Sequence, residues 1–366
     1  MKKTIFFVLA WLLLINVFAL LVSNRFNLKT DTAYAWIDST KTPQVQSWNP
    51  IPLHSKWDSV YYTDIAQNGY HLISGDTLSN VVFFPLYPLL IRTVSPIAGS
   101  GYIFAGWVVS MLALIGAVVV FYKLLKEFHP KIDSLLPIFY LLIFPTAFFL
   151  TSVYTESLFL FLSLLTFYYA LKKDFKLAGI FGLLTSLTRI TGILLFIPVF
   201  WEFYKKHGVR KIFSFSFLTT LLIPLGTFLF FLYHYFRFGD FLLFFKVESA
   251  WGRSFQLNTS QFLFFSHPSL VNFLLDVGFS IFALCATYLA FKKKWTSYGL
   301  YMLATIGVAL STGTFMSIGR YILVLFPIYI VLASIKNAYF EKIYTMGSLL
   351  LFAMNIILFV NWYWAG

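Results

Sequence analysis

Charged residues and cysteine are both scarce in this chain of 366 residues. Only 11% of the residues are Asp, Glu, Lys or Arg, whereas soluble domains carry about 25%. In their place 59% of the chain is hydrophobic and 21% is aromatic. This composition excludes an ordinary soluble protein and indicates a polytopic membrane protein. Cys285 is the single cysteine, so the chain has no disulfide framework.

The usual sequence signatures of nucleotide and metal sites are also missing. There is no Gly-rich phosphate loop, which argues against ATP-driven pumping and against a cytoplasmic nucleotide-sugar donor. The six histidines are scattered and show no zinc-type pairing, so no metal site is predicted. A divalent ion held by Asp58, Asp64 and Glu156 is the one cofactor that the sequence leaves open.

The formal net charge of +13 is explained by membrane topology, and no nucleic-acid partner is predicted. Cytoplasmic loops collect Lys and Arg. Lys2 and Lys3 precede an apolar run that is too long for a signal peptide and has no convincing cleavage site. We therefore expect an uncleaved first span and a cytoplasmic N-terminus. Threading the later spans from there places most of the 27 Lys and Arg residues inside.

Apolar stretches recur along almost the whole chain and predict one all-α integral-membrane domain, 1–366, with about 11 transmembrane helices. Two outer loops are expected at 24–100, with amphipathic helices, and at 237–268. The candidate spans are 4–23, 101–122, 134–151, 154–171, 176–190, 191–204, 213–236, 269–291, 297–313, 319–335 and 343–363.

Two stretches do not fit a simple span. Residues 176–204 are too short for two full passes, so they form either a hairpin of short helices meeting near 189–192 or one long helix. Residues 81–98 are apolar but contain three prolines, which disfavour a straight helix. We expect a short re-entrant or surface helix there.

Asp58 is the candidate general base. It lies in the first outer loop beside Trp57, and a positioned carboxylate can remove the proton of an attacking hydroxyl. In the competing interpretation Asp58 only caps an amphipathic surface helix at 58–68.

Other charged residues also collect at the outer face in this topology, which suggests a shared cavity. Arg320, Arg253 and Arg189 suit a phosphate group, since guanidinium binds phosphate oxygens bidentately, although arginines at span ends can also snorkel to the membrane surface. Glu156 is either a first-turn acid favoured by the helix dipole or a partner of Arg189 that orients an acceptor.

Several motifs follow one another in a specific order. They are WD-x-x-YY-x-x-IA-x-x-GY (57–70), FFPLYPLLIR (83–92), YTESLF (154–159), SLTRITG (186–192), WGR (251–253) and S-x-GRY (317–321). This order resembles the PIG-V-like mannosyltransferases, which are relatives of the GPI mannosyltransferase that adds the second mannose. That family belongs to the GT-C superfamily of integral-membrane glycosyltransferases.

The resemblance implies a GT-C-type fold and an inverting transfer on the outer face of the membrane. The implied donor is a polyprenyl- or dolichyl-phosphate-linked sugar, usually mannose, and the acceptor is a hydroxyl of a lipid or glycan. It also implies an essential acid in the first outer loop, which is Asp58 here, and basic side chains that hold the donor phosphate. The aromatic residues expected to line the substrate site are Trp57, Tyr61, Tyr87, Trp251 and Tyr321.

Two other functions compete with glycosyl transfer. A transporter or flippase of a lipid-linked substrate would show inverted repeats and a midplane site, but no repeat is present and the polar motifs gather at one face. A non-catalytic scaffold would use Asp58 and Glu156 only as helix caps. Trp251, taken alone, fits an interfacial aromatic belt. We expect a multi-pass protein of a prokaryotic plasma membrane, in contact with membrane lipids.

Overall fold

A computed structural model of the chain describes residues 1–26, 48–72, 79–99, 101–208, 211, 214–250, 253 and 270–363. Within these residues the fold is all-α, with no β-strand. The helices of the first half are α1 (Lys2–Phe26), α2 (Ser59–Asn68), α3 (Leu86–Ala98), α4 (Gly101–Phe128), α5 (Leu135–Leu142), α6 (Glu156–Leu171), α7 (Phe175–Ser186) and α8 (Phe196–His207). Those of the second half are α9 (Phe215–Thr220), α10 (Leu222–Phe238), α11 (Leu243–Ala250), α12 (Leu270–Lys292), α13 (Thr296–Leu310), α14 (Ile318–Leu323), α15 (Pro327–Ala333) and α16 (Ala338–Val360).

Four of the described helices, α1, α4, α12 and α16, are long and apolar enough to cross a membrane. The pair α10 and α11, bent by 89°, makes a fifth if it is counted as one span. These helices agree with a multi-pass membrane protein, but the predicted number of 11 spans is not confirmed. Proline is one reason, because Pro145 follows α5 and Pro327 opens α15, so 134–151 and 319–335 are each broken into short pieces.

Residues 176–204 are not one long helix. The helices α7 and α8 are separated by a 3₁₀ turn at Ile190–Leu195, and Arg189 before it is extended. Gly192 permits this turn, since a Cβ there would lie 2.5 Å from the Thr185 carbonyl oxygen. In the other ambiguous stretch the helix α3 covers 13 residues and contains Pro96, and its expected re-entrant or surface position stays a prediction.

The long helix α4 organises the first half of the core. It packs against α3 on one side and α6 on the other, while α6 packs against α7, and α7 against α10. Fully buried side chains such as Phe121 and Phe159 fill these contacts. The N-terminal end of α6, where Glu156 lies, is thereby held inside the protein.

The segment that leads into Asp58 is anchored by His54. Its two ring nitrogens lie 2.9 Å from Asn16 Oδ1 and 3.2 Å from Thr151 Oγ1, and its carbonyl accepts a hydrogen bond from the Val153 amide. Burial lowers the pKa of His54 to about 4, so the folded protein holds the ring neutral.

Acidification is expected to weaken this anchor. A histidine in the unfolded chain has a pKa of about 6.5, so between that pH and about 4 the unfolded state binds the extra proton. Stability is therefore lost as the pH falls through this window, by at most about 2 kcal/mol from His54 at pH 5. Melting curves in detergent at pH 7.5 and pH 5 should show a smaller shift for His54→Gln than for the wild type. Equal shifts would contradict the role of His54, since other histidines contribute to both proteins.

Candidate functional site

A cavity of about 360 Å³ lies between the N-terminal end of α2, the turn after α7, α11 and the start of α14. Six of the residues singled out from the sequence line it together, although they come from four distant segments of the chain. They are Trp57, Asp58, Arg189, Arg253, Arg320 and Tyr321. The remaining wall is largely apolar and includes Phe84 and Phe244.

Arg320 is the centre of a charge network behind the cavity. Its Nε donates to Glu156 Oε1 at 2.7 Å, and its Nη1 donates to Asp58 Oδ2 at 2.8 Å. Arg189 Nη1 donates to the same Glu156 oxygen at 2.9 Å. The Arg320 side chain is 5% exposed and Glu156 is fully buried, so these charges stabilise each other away from water.

Aromatic rings enclose the Arg320 guanidinium. It lies 4.8 Å from the ring centroids of both Phe149 and Tyr154, a distance typical of cation–π contact. The Tyr154 hydroxyl accepts a hydrogen bond from the Asp58 amide at 3.1 Å and donates to the Lys56 carbonyl at 2.9 Å. Tyr154 therefore supports Arg320 with its ring and the Asp58 backbone with its hydroxyl.

The backbone around both partners is held in an unusual conformation. Trp57 has a φ of 53° and Ser317 a φ of 67°, in the left-handed region that residues other than glycine rarely adopt. Trp57 lies next to Asp58, just before α2, and Ser317 directly precedes α14, three residues before Arg320. A strained backbone conformation of this kind is typical of segments that the surrounding structure holds in place.

Asp58 does precede a helix, as expected, but its side chain makes no capping hydrogen bond to α2. The carboxylate points to Arg320, and among the described residues nothing hydrogen-bonds its Oδ1. Tyr62, one turn later in α2, also lines the cavity. Burial, reinforced by Glu156, raises the pKa of Tyr62, so its hydroxyl stays protonated beside these carboxylates.

Arg253 and Arg189 lie on the Tyr321 ring, with guanidinium carbons 5.7 and 5.4 Å from its centroid. Arg253 donates hydrogen bonds to the Tyr321 hydroxyl at 3.0 Å and to the Met316 carbonyl at 3.4 Å. Glu248 of α11 is 3.8 Å from the same guanidinium. This part of the cavity presents two cations to an incoming anion.

Among the described residues, three of those predicted for the site are not part of the cavity wall, namely Glu156, which lies behind it, Tyr61 and Tyr87. Tyr61 stacks on Phe83 with centroids 4.9 Å apart, and Tyr87 is fully buried with its hydroxyl donating to the Gly106 carbonyl. Trp251 lies outside the described residues. Their predicted substrate contacts stay predictions.

The structure adds Glu248, Tyr154 and the phenylalanines of the wall to the site. Tyr154 and Phe84 occur inside recognisable motifs, so the sequence contained a signal for them. Glu248 had none beyond its charge in an apolar loop.

No group of three or more His, Cys, Asp or Glu residues placed to hold a metal occurs in the described parts of the chain. Asp64, one of the three residues considered for a divalent ion, instead accepts hydrogen bonds from Asn80 at 2.7 Å and Asn68 at 2.8 Å.

Comparison with known proteins identifies the fold. No family model matches the chain, and no curated protein sequence matches it either. Among solved structures it is similar to the crystal structure of ArnT from Cupriavidus metallidurans bound to undecaprenyl phosphate. The TM-score is 0.52 at 13% sequence identity, over 96% of this chain and 76% of that chain. The all-α GT-C-type fold expected from the sequence is thereby confirmed.

Removing the Arg320 charge should destabilise the protein, because it leaves two carboxylates without their shared partner. Arg320→Met is expected to cost about 3–5 kcal/mol, which is the usual penalty for an uncompensated buried charge. Adding Glu156→Gln should recover part of that loss, so the two substitutions are non-additive in a double-mutant cycle of thermal unfolding. Arg92→Met, at an exposed position of α3, is the matched control. Additive losses from the pair would contradict the network.

Proposed function

We propose that this protein is a GT-C-type glycosyltransferase that moves a sugar from a polyprenyl-phosphate-linked donor to a hydroxyl acceptor at the outer face of the membrane. The observation that carries the proposal is one cavity that combines the Asp58 carboxylate, two arginines on Tyr321 and an apolar aromatic wall. A base, an anion site and a lipid-compatible surface are the parts that such a transfer needs. The fold likeness to ArnT supports the same reaction class.

The proposed step is a single displacement at the anomeric carbon. Asp58 accepts the proton of the acceptor hydroxyl as its oxygen attacks the sugar. The bond from the sugar to the phosphate oxygen breaks and the lipid phosphate leaves with the electron pair. Attack opposite the leaving group inverts the configuration at that carbon.

The arginines have different tasks in this proposal. Arg320 is nearly inaccessible and already donates to Asp58 and Glu156, so it positions the base. Arg189 and Arg253 are more exposed to the cavity, and we assign the phosphate to them. Placing fixed cations where charge develops on the leaving group is often the largest catalytic effect.

Mannose is the sugar that we propose, because the order of the WD, FFPLYP and GRY motifs resembles the PIG-V-like mannosyltransferases. The same resemblance supports a plasma-membrane enzyme of a prokaryote, and Lys2 and Lys3 before the first span support a cytoplasmic N-terminus. A lipid-linked glucose donor in parallel assays tests this finer assignment.

The base is tested with Asp58→Asn protein in lipid nanodiscs supplied with polyprenyl-phosphate-mannose. Release of polyprenyl phosphate should fall by roughly 10²- to 10⁴-fold relative to the wild type, the usual contribution of a positioned base. Asp64→Asn is the matched control, because it removes a carboxylate of the same helix that is not part of the cavity wall.

Equal release by wild-type and Asp58→Asn protein would overturn the assignment of the base. Movement of labelled lipid across vesicle membranes without any release would instead favour the flippase.

A further inference from the structure

Glu248 is a carboxylate of the cavity wall that the proposed transfer step does not use. Its side chain is 18% exposed and lies in α11, next to Arg253 in the same cavity. Its nearest charged partner is Arg253 Nη1 at 3.8 Å, which is beyond hydrogen-bond distance. Among the described residues no donor hydrogen-bonds its carboxylate.

This pair differs from the other ion pairs of the site. Asp58 and Glu156 accept direct hydrogen bonds of 2.7 to 2.9 Å from their arginines. Arg253 is instead oriented by the Tyr321 hydroxyl and the Met316 carbonyl. Glu248 is therefore not needed to hold Arg253 in place, and its contribution is its negative charge.

We propose that the negative charge of Glu248 weakens the attraction between Arg253 and the lipid phosphate, and so promotes release of the product. The inference rests on the proposed function, and it concerns a step after sugar transfer. Glu248 acts through Arg253 as a positioning residue and not as a second base.

The negative charge on the phosphate increases during the reaction, and this increase explains why such a residue is useful. The donor is a phosphate diester with one negative charge. After transfer the phosphate is a monoester, which carries between one and two negative charges near pH 7. Its attraction to Arg189 and Arg253 therefore increases when the product has to leave. A fixed carboxylate 3.8 Å from one of these cations offsets that increase.

The test is the affinity of purified protein in nanodiscs for polyprenyl phosphate, with uncharged polyprenol of the same length as the reference ligand. Glu248→Gln is expected to bind polyprenyl phosphate roughly threefold to tenfold more tightly than the wild type, with polyprenol binding unchanged. Glu248→Asp, which retains the charge, should bind like the wild type. Asp240→Asn is the matched control, because it removes a carboxylate of the same region that pairs with Lys246 and is not part of the cavity wall.

A second arm isolates the partner of Glu248. In an Arg253→Gln background, Glu248→Gln should no longer tighten polyprenyl phosphate binding, because the two residues act on the same phosphate contact. With polyprenyl-phosphate-mannose, Glu248→Gln should keep its rate in a single turnover and lose rate over many turnovers.

The outcomes separate the two proposals. If wild-type protein does not bind polyprenyl phosphate better than polyprenol, the proposed donor is wrong and the inference falls with it. If wild-type protein does discriminate but Glu248→Gln binds equally or more weakly, only the role of Glu248 is overturned. Weaker binding would show that the carboxylate serves to hold Arg253, and melting temperatures would exclude a folding defect as the cause.

Discussion

A guanidinium buried in a membrane protein must be paired, and in this chain the pairing of Arg320 determines where several other segments lie. The side chain reaches Asp58 just before α2 and Glu156 at the start of α6, and it lies between two aromatic rings. Because Glu156 is fully buried and the Asp58 side chain is only 17% exposed, moving Arg320 would leave both carboxylates without their shared partner. The site is therefore rigid at its back wall, where the candidate base is attached.

Rigidity at the back wall contrasts with the other end of the cavity. Arg253 is held by a hydroxyl and a carbonyl, and its carboxylate neighbour stays at ion-pair distance. Among the described residues, three arginines face three carboxylates, so their formal charges balance. The carboxylate beside Arg253 is held less firmly than those beside Arg320. An anionic ligand can therefore bind Arg253 and Arg189 without disturbing Asp58.

Much of this could be predicted from the sequence, for physical reasons that differ between residues. Composition and long apolar runs predicted the helical membrane class. Asp58, Arg189 and Arg320 stood out because charged residues are rare in such a chain, and the structure brings all three together. The number of spans was not obtainable in the same way, since an apolar stretch such as 319–335 can fold into short broken helices, here α14 and α15. Glu248 could not be predicted, because its role depends on a distance to Arg253 that no local pattern encodes. Tyr87, a conspicuous motif residue, is fully buried and donates to the Gly106 carbonyl of α4, and its predicted contact with substrate stays a prediction.

The sequence separation within the charge network has a consequence for how the protein is made. Asp58 and Arg320 are 262 residues apart, whereas Glu156 and Arg189 are 33 apart. During synthesis the nearer pair can form while the first half inserts, before Arg320 is available to Asp58. Arg320 joins them only after almost the whole chain has emerged. Asp58 is therefore without Arg320 until late in synthesis. A chain truncated before residue 320 would keep the candidate base but never acquire the residue that holds it.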